Sequence, residues 1–157
     1  PQERFIADTG YSVQESVYLT LLRESLLPDI VRALFGGKTD IWYMGEQIFY
    51  KEGKRGTRRT PWHQDSSYTN YFGPSMAAVW IPLDPIPHDC SFEVVRGSHI
   101  GIRYNGSRFK PGDDTATLYP ISELPRLPDI EENRDDWDIV GDALVPGDIM
   151  VFHMGSL

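Results

Sequence analysis

The stretch Thr60-Pro61-Trp62-His63-Gln64-Asp65 places an imidazole and a carboxylate two residues apart. We predict a β-strand here, and because successive side chains on a strand alternate between faces, His63 and Asp65 point the same way while Gln64 points the other way. A histidine and a carboxylate on one face supply two ligands of a 2-His-1-carboxylate facial triad, a site that suits Fe(II) and oxygen chemistry. The alternative is a solvated strand that carries the pair by chance, since only structural context confirms so short a motif.

Further strand-like runs surround this stretch. Segments rich in aromatic and β-branched residues, separated by Pro- and Gly-containing turns, occur at 41–44, 47–51, 76–83, 92–95 and 149–153. The region 101–138 has little periodicity, and we expect a long excursion that covers the site rather than forming core. The pattern predicts a mainly β fold with flanking helices, in the form of a jelly roll.

Residues 12–37 are predicted to form a helical layer. Apolar residues recur at three- and four-residue steps. Ser12 and Glu15 resemble a capping box, Pro28 ends one helix and begins a second, and Gly36-Gly37 closes the second helix. We predict that the apolar stripe of this layer is core, packed on the outside of a sheet.

Composition narrows the class of protein. A chain of 157 residues with 40% hydrophobic and 12% aromatic content fits one domain, 1–157, made of the helical layer and a 41–157 jelly-roll core. The net charge of -8 argues against nucleic acid or an anionic membrane as partner. The one basic cluster, 54–59, is predicted to be a solvated loop, whose charge would attract an anionic substrate or cosubstrate.

Cysteine content suggests the cellular location, and the chain ends suggest that the sequence is part of a longer chain. Cys90 stands alone and cannot form an internal disulfide, which predicts a reducing, cytoplasmic location. No apolar run approaches the ~20 residues of a membrane span. The sequence begins without Met and stops in a strand-like run, so we expect it to be part of a longer chain, truncated at both ends.

Five blocks in succession resemble the phytanoyl-CoA dioxygenase family of Fe(II)- and 2-oxoglutarate-dependent oxygenases: 47–51, 60–65, 78–84, 93–99 and 146–153. The resemblance implies a double-stranded β-helix core of the cupin-like, jelly-roll type, with His63 and Asp65 as iron ligands. It also implies that Gln47 and Trp80 contact the cosubstrate 2-oxoglutarate. The alternatives are an edge-facing amide for Gln47 and a core tryptophan for Trp80.

The resemblance places the third iron ligand outside the sequence. In the family pattern the distal histidine falls just beyond Leu157, with an arginine for 2-oxoglutarate further on. His153 is the other candidate for the third ligand. His88 and His99 are expected to be loop and turn residues, and Cys90 a turn residue rather than a nucleophile.

The resemblance therefore implies an oxygenase that uses Fe(II), 2-oxoglutarate and O2 to hydroxylate a C–H bond of a small organic substrate. Asp65 favours hydroxylation or desaturation, because related halogenases carry Gly or Ala at this position. The alternative is a non-catalytic jelly-roll protein that binds a metal or small ligand, or an inactive fragment.

Overall fold

The computed structural model describes residues 4–9, 16–37, 40–52 and 59–157. Contacts divide the chain into two units, Pro1–Arg58 and Arg59–Leu157. The prediction of a single domain over 1–157 stays a prediction, and the two units are taken in turn.

The first unit contains one antiparallel strand pair and two helices. Strand β1 (Arg4–Thr9), which the sequence analysis missed, pairs with β2 (Gln47–Glu52), with Ile6 opposite Tyr50. The helices are α1 (Ser16–Glu24) and α2 (Leu27–Leu34). Pro28 lies in the first turn of α2, as predicted. The predicted capping residues Ser12 and Glu15 lie outside the described residues.

The helical prediction holds for the glycines that end α2 but not for the burial of the apolar stripe. Gly36 and Gly37 both have φ of +75°, and their N–H groups donate to the carbonyls of Ala33 and Arg32, which closes the helix. No residue of α2 is buried, and several apolar side chains of the stripe are exposed: Val17, Leu21, Leu26 and Leu34. The prediction that this stripe forms core is wrong for the described residues, because a two-stranded sheet and two short helices offer too little surface to enclose one.

The second unit has four strands of three residues each. They are β3 (Ala78–Trp80), β4 (Glu93–Val95), β5 (Ile139–Gly141) and β6 (Met150–Phe152). The pairs β3–β6 and β4–β5 are antiparallel. The predicted strands at 47–51, 76–83, 92–95 and 149–153 are thus confirmed, most of them shortened.

Two predicted strands are wrong. Neither 41–44 nor 60–64 is in a strand, although Gln64 has an extended backbone. A 3-10 helix, Asp65–Tyr68, follows at once, because the N–H of Ser67 donates back to the carbonyl of Gln64 at 3.0 Å. Across the described residues the strands form three separate two-stranded sheets, so the chain is built of small strands with few helices and shows no closed jelly roll.

The hydrophobic core of the second unit draws on the excursion 101–138. Leu127 and Ile130 from the excursion pack with Val95 and Leu157, and Trp62, Tyr104, Trp137 and Ile139 lie against them. The excursion is irregular, as predicted, with a single 3-10 turn at Arg134–Asp136. The expectation that the excursion forms no core is wrong, because its apolar residues fill the space that the short strands leave open. Its predicted role as a cover over the site stays a prediction.

Buried polar side chains replace regular pairing inside the excursion. The Asn105 amide donates to the carbonyl of Tyr119 at 2.8 Å and accepts from the N–H of Tyr119 at 3.1 Å. The hydroxyl of Ser107 donates to the carbonyl of Asp114 at 2.6 Å. Both side chains are buried, so these bonds satisfy groups that water cannot reach.

A cluster of two carboxylates and two guanidinium groups ties β4 to the excursion. The Glu93 carboxylate accepts from Arg134 through both oxygens, at 2.8 and 3.2 Å, and also from Arg59. Glu131 accepts from Arg134 at 3.0 Å. Partial burial raises the pKa of Glu93, but hydrogen bonds and charge from Arg134 and Arg59 outweigh it, so the pKa lies below its ordinary value of 4.5.

We predict that Glu93→Gln lowers the free energy of unfolding at pH 7 by roughly 1–3 kcal/mol, because the bidentate charged bonds are lost. A carboxylate whose pKa is depressed on folding contributes stability above its unfolded pKa, and that contribution is lost as pH falls through the folded pKa. Urea unfolding should therefore show the two proteins converging below about pH 4.5. Glu123→Gln, at an exposed position, is the control. If the free energies of unfolding of Glu93→Gln and the unsubstituted chain differed by the same amount at all pH values, the stabilising role of the Glu93 charge would be contradicted.

Candidate metal centre

His63 and Asp65 lie side by side. The Nε2 atom of His63 is 3.2 Å from Oδ1 of Asp65. The other ring nitrogen, Nδ1, is 2.7 Å from the carbonyl oxygen of Pro61, which is an acceptor only, so Nδ1 carries the hydrogen and donates it. This bond fixes the ring and directs Nε2 toward the carboxylate. A backbone carbonyl on the second nitrogen is the usual support of a metal-binding histidine.

The segment alternates as predicted, although it is not a paired strand. Trp62 packs against the core, and its indole N–H donates to Glu131 at 3.0 Å. Gln64 is buried, whereas the side chains of His63 and Asp65 remain 24% and 36% exposed. The extended backbone at Gln64, with φ of -106° and ψ of 123°, sends neighbours to opposite sides without any partner strand.

Gln64 joins the segment to two distant parts of the unit. Its amide nitrogen donates to the carbonyls of Ile102 at 3.1 Å and Gly155 at 2.8 Å. Its amide oxygen accepts from the N–H of Tyr104 at 2.8 Å. One buried side chain therefore holds the start of the excursion and the end of the chain against the residue between His63 and Asp65.

Two aromatic rings border the imidazole of His63. Tyr68 and Phe109 meet it edge-on, with ring centroids at 5.6 and 5.2 Å, and they stack on each other at 5.7 Å. Phe109 adopts φ of +52°, an uncommon conformation for a residue with a side chain. The N–H of Phe109 donates to the Ser107 hydroxyl at 2.9 Å, which helps to hold it there.

Two groups of this site, the His63 imidazole and the Tyr68 phenol, have shifted pKa values. Burial lowers the pKa of His63, but the hydrogen bond to Asp65, the Pro61 carbonyl and the charge of Asp65 together raise it above 6.5. Burial, with a contribution from the charge of Asp65, raises the pKa of Tyr68 to about 12 against the opposing effect of its bond to Ser107. Tyr68 is therefore a neutral phenol, and its hydroxyl donates to the carbonyl of Ser107 and accepts from the N–H of Ser107.

The two residues predicted to contact 2-oxoglutarate belong to different units of the chain and are described within those units. Gln47 is the first residue of β2, exposed and opposite Thr9, in the first unit. Trp80 ends β3, where it stacks on Phe92 at 5.6 Å, and Phe92 packs on Phe152. The described contacts of Trp80 are those of a partly buried core residue, and its role beside a cosubstrate stays a prediction.

The remaining histidines do not extend the pair. Nδ1 of His153 accepts from the N–H of Gly155 at 2.9 Å, so its Nε2 carries the hydrogen and donates to the carbonyl of Gly73 at 3.1 Å. Both nitrogens of His153 are thus used within the chain. His99 lies in the 3-10 turn Ser98–Ile100, with its ring 5.4 Å from that of His153, and His88 is in an exposed 3-10 turn with Cys90. Among the described residues, no three His, Cys, Asp or Glu side chains form a group that could hold a metal ion.

Comparison with known proteins gives the class. The family model for phytanoyl-CoA dioxygenase (PhyH) matches residues 2–155, nearly the whole chain. The chain belongs to this family, whose members are oxygenases of the Fe(II)- and 2-oxoglutarate-dependent type. No curated protein and no solved structure gives a significant match. Within the described ranges, no helix is long and apolar enough to cross a membrane.

Sequence reasoning missed Phe109 and the carbonyl of Pro61. Phe109 lies in the excursion, and no local pattern predicts that its ring reaches His63. The Pro61 carbonyl gives no signal in side-chain chemistry. Of the aromatic residues that follow the motif, Tyr68 is the one that contacts the imidazole.

We predict that Gln64→Ala lowers the free energy of unfolding by roughly 2–4 kcal/mol, because three backbone groups lose their buried partner. Iron affinity of the folded protein should stay within a few-fold of the unsubstituted chain, since the side chain points away from the pair. Chemical unfolding and anaerobic titration measure the two effects separately. Asn133→Ala, which removes an exposed amide bonded to Asp129, is the control. If Gln64→Ala lost as much iron affinity as His63→Ala does, the separation of Gln64 from the side of His63 and Asp65 would be contradicted.

Proposed function

We propose that this protein is an Fe(II)- and 2-oxoglutarate-dependent oxygenase that hydroxylates a C–H bond of a small organic substrate. The observation that carries the proposal is the convergence of His63 Nε2 and Asp65 Oδ1 at 3.2 Å in a chain of the phytanoyl-CoA dioxygenase family. Imidazole and carboxylate are the donor types of the 2-His-1-carboxylate site.

The donor set fits a divalent cation. With Nδ1–H donated to Pro61, the nitrogen that faces Asp65 is the one available as a ligand. A cation bound there would replace the proton that otherwise joins the two groups. When bound, iron would supply oxidation by O2 coupled to decarboxylation of 2-oxoglutarate.

The chain's own residues prepare the site. The Pro61 carbonyl holds the imidazole plane, and Gln64 anchors the backbone between the two ligands. The rings of Tyr68 and Phe109 shield one side of His63 from water. Because a shielded site strengthens electrostatic attraction, this wall favours retention of a cation.

Further parts of the proposal follow from family membership. We propose that the complete fold is the family's double-stranded β-helix, that Gln47 and Trp80 contact 2-oxoglutarate, and that O2 is the second cosubstrate. The third iron ligand is not among the described residues around the pair.

We also propose a reducing, cytoplasmic location for the protein, which fits a single, exposed Cys90.

A second candidate function is a non-catalytic protein that binds a metal or small ligand. The observation that favours it is the absence of a third protein ligand beside His63 and Asp65 within the described part of the chain. Two ligands can hold a cation weakly without fixing the three-point face that oxygen chemistry needs.

We predict that anaerobic Fe(II) titration detects one site, and that His63→Ala and Asp65→Ala each weaken binding by at least about tenfold, because each removes a ligand. His88→Ala removes an exposed histidine away from the pair and should bind as the unsubstituted chain does. Unchanged affinity in both ligand variants would show that the pair is not the metal site.

The two candidate functions differ in turnover. For the oxygenase, a chain that extends past Leu157 to the expected third ligand and arginine should form succinate from 2-oxoglutarate in the presence of Fe(II) and O2, and Asp65→Ala in that chain should abolish it. Cys90→Ser should retain the full rate, since the exposed thiol takes no part. Iron binding at the pair with no succinate formed would select the non-catalytic candidate.

A further inference from the structure

Two neighbouring cavities in the second unit share one wall. The larger, about 270 Å³, and the smaller, about 190 Å³, are both lined by Phe72 and Arg103. The guanidinium carbon of Arg103 stands 3.8 Å above the centre of the Phe72 ring. The larger cavity also includes Ser67, two residues beyond Asp65 and in the same 3-10 helix.

The charge of this region is opposite to that of the whole chain. The chain has 23 Asp and Glu against 15 Lys and Arg, yet neither cavity has an acidic residue among the described residues that line it. Four of the other five arginines in the second unit form ion pairs with carboxylates: Arg59, Arg96, Arg126 and Arg134. The contact described for Arg103 is the face of an aromatic ring.

Stacking of this kind prepares a guanidinium to bind an anion. The ring occupies the face of the guanidinium group and restricts its rotation, while the N–H groups at its edge remain directed outward in one plane. That planar edge matches the two oxygens of a carboxylate. Because the arginine is already held, little side-chain freedom is lost when an anion binds.

The larger cavity adds neutral donors and an apolar wall. Asn70, Tyr119 and Ser122 offer amide and hydroxyl groups, and Leu124 with Phe72 supplies apolar surface. A lining with one cation and several neutral donors suits a single negative charge better than a phosphate dianion. The volume is below that of pockets for drug-sized ligands, which points to a small molecule.

We propose that the Arg103 cavity binds the carboxylate of a small carboxylic acid, and that this acid is the substrate class of the oxygenase. The assignment of the acid as substrate rests on the proposed function; the anion site itself does not. The site would hold the substrate by its carboxylate and leave the substrate's carbon chain free for oxidation at the metal held by His63 and Asp65.

Equilibrium binding to the metal-free protein tests the site apart from turnover. Hexanoate is the probe, hexanamide its uncharged counterpart, and isothermal calorimetry the measurement. Hexanoate should bind at one site and hexanamide at least tenfold more weakly. Arg103→Gln should weaken hexanoate binding at least tenfold, and Arg103→Lys should fall between, since it keeps charge but not the planar edge.

Arg108→Gln is the matched control. Arg108 is an exposed arginine of the same excursion that lines neither cavity, and its described bond is to the carbonyl of Leu118. The Arg108→Gln variant should bind hexanoate as the unsubstituted chain does. Thermal unfolding of each variant confirms that it is folded, which is expected because Arg103 is itself exposed.

Four results would overturn the proposal. Equal binding of hexanoate and hexanamide, or unchanged hexanoate binding in Arg103→Gln, would show that Arg103 binds no carboxylate. Tighter, Arg103-dependent binding of inorganic phosphate would change the ligand class. If 2-oxoglutarate displaces hexanoate at a lower concentration than hexanoate analogues do, the cavity would be assigned to the cosubstrate.

Hexanoate binding should also be measured in His63→Ala. Binding that persists in this variant separates the anion site from the metal pair, whatever the outcome of the iron titration.

Discussion

The side chain of Gln64 is the constraint on which the candidate site depends. It is the residue between the two predicted ligands, and its three hydrogen bonds attach it to Ile102, Tyr104 and Gly155. Burying an amide is costly unless all its groups are paired, so the fully bonded position is favoured over any shifted one. With Gln64 fixed inside, the alternation of an extended chain leaves His63 and Asp65 together on the outer side.

The short strands explain why polar side chains have this importance. Strands of three residues provide few ladder hydrogen bonds, and the excursion 101–138 has no strand of its own among the described residues. Buried Asn105 and Ser107, the cluster around Glu93, and the core residues Leu127 and Ile130 hold it instead. The same excursion brings Phe109 to His63 and Arg103 to the cavities, so the part of the chain with least regular structure supplies the surroundings of the proposed site.

Local features of the sequence predicted local structure well. Pro28 and Gly36-Gly37 marked the helix ends, because a fixed φ and a positive φ act without distant partners. The alternation from Trp62 to Asp65 predicted correctly that the side chains of His63 and Asp65 lie on one side and that of Gln64 on the other, even though the segment is not a strand. That the pair binds a metal stays a prediction. Strand β1 was missed, and 41–44 was predicted as strand wrongly, since pairing depends on partners that are distant in sequence. The contacts of Phe109 and the burial of Leu127 and Ile130 also depend on long-range contacts, and composition alone did not show that their region contributes to the core.

The central claim is that His63 Nε2 and Asp65 together hold a metal ion. Nitrogen NMR of the His63 imidazole during titration with Zn²⁺, a diamagnetic substitute for Fe(II), tests it most directly. The account predicts that the Nε2 resonance moves on metal binding while Nδ1 keeps its proton, which is donated to Pro61, and that Asp65→Ala abolishes the change. An Nε2 resonance that does not respond to the metal, or that responds equally without the Asp65 carboxylate, would contradict the account.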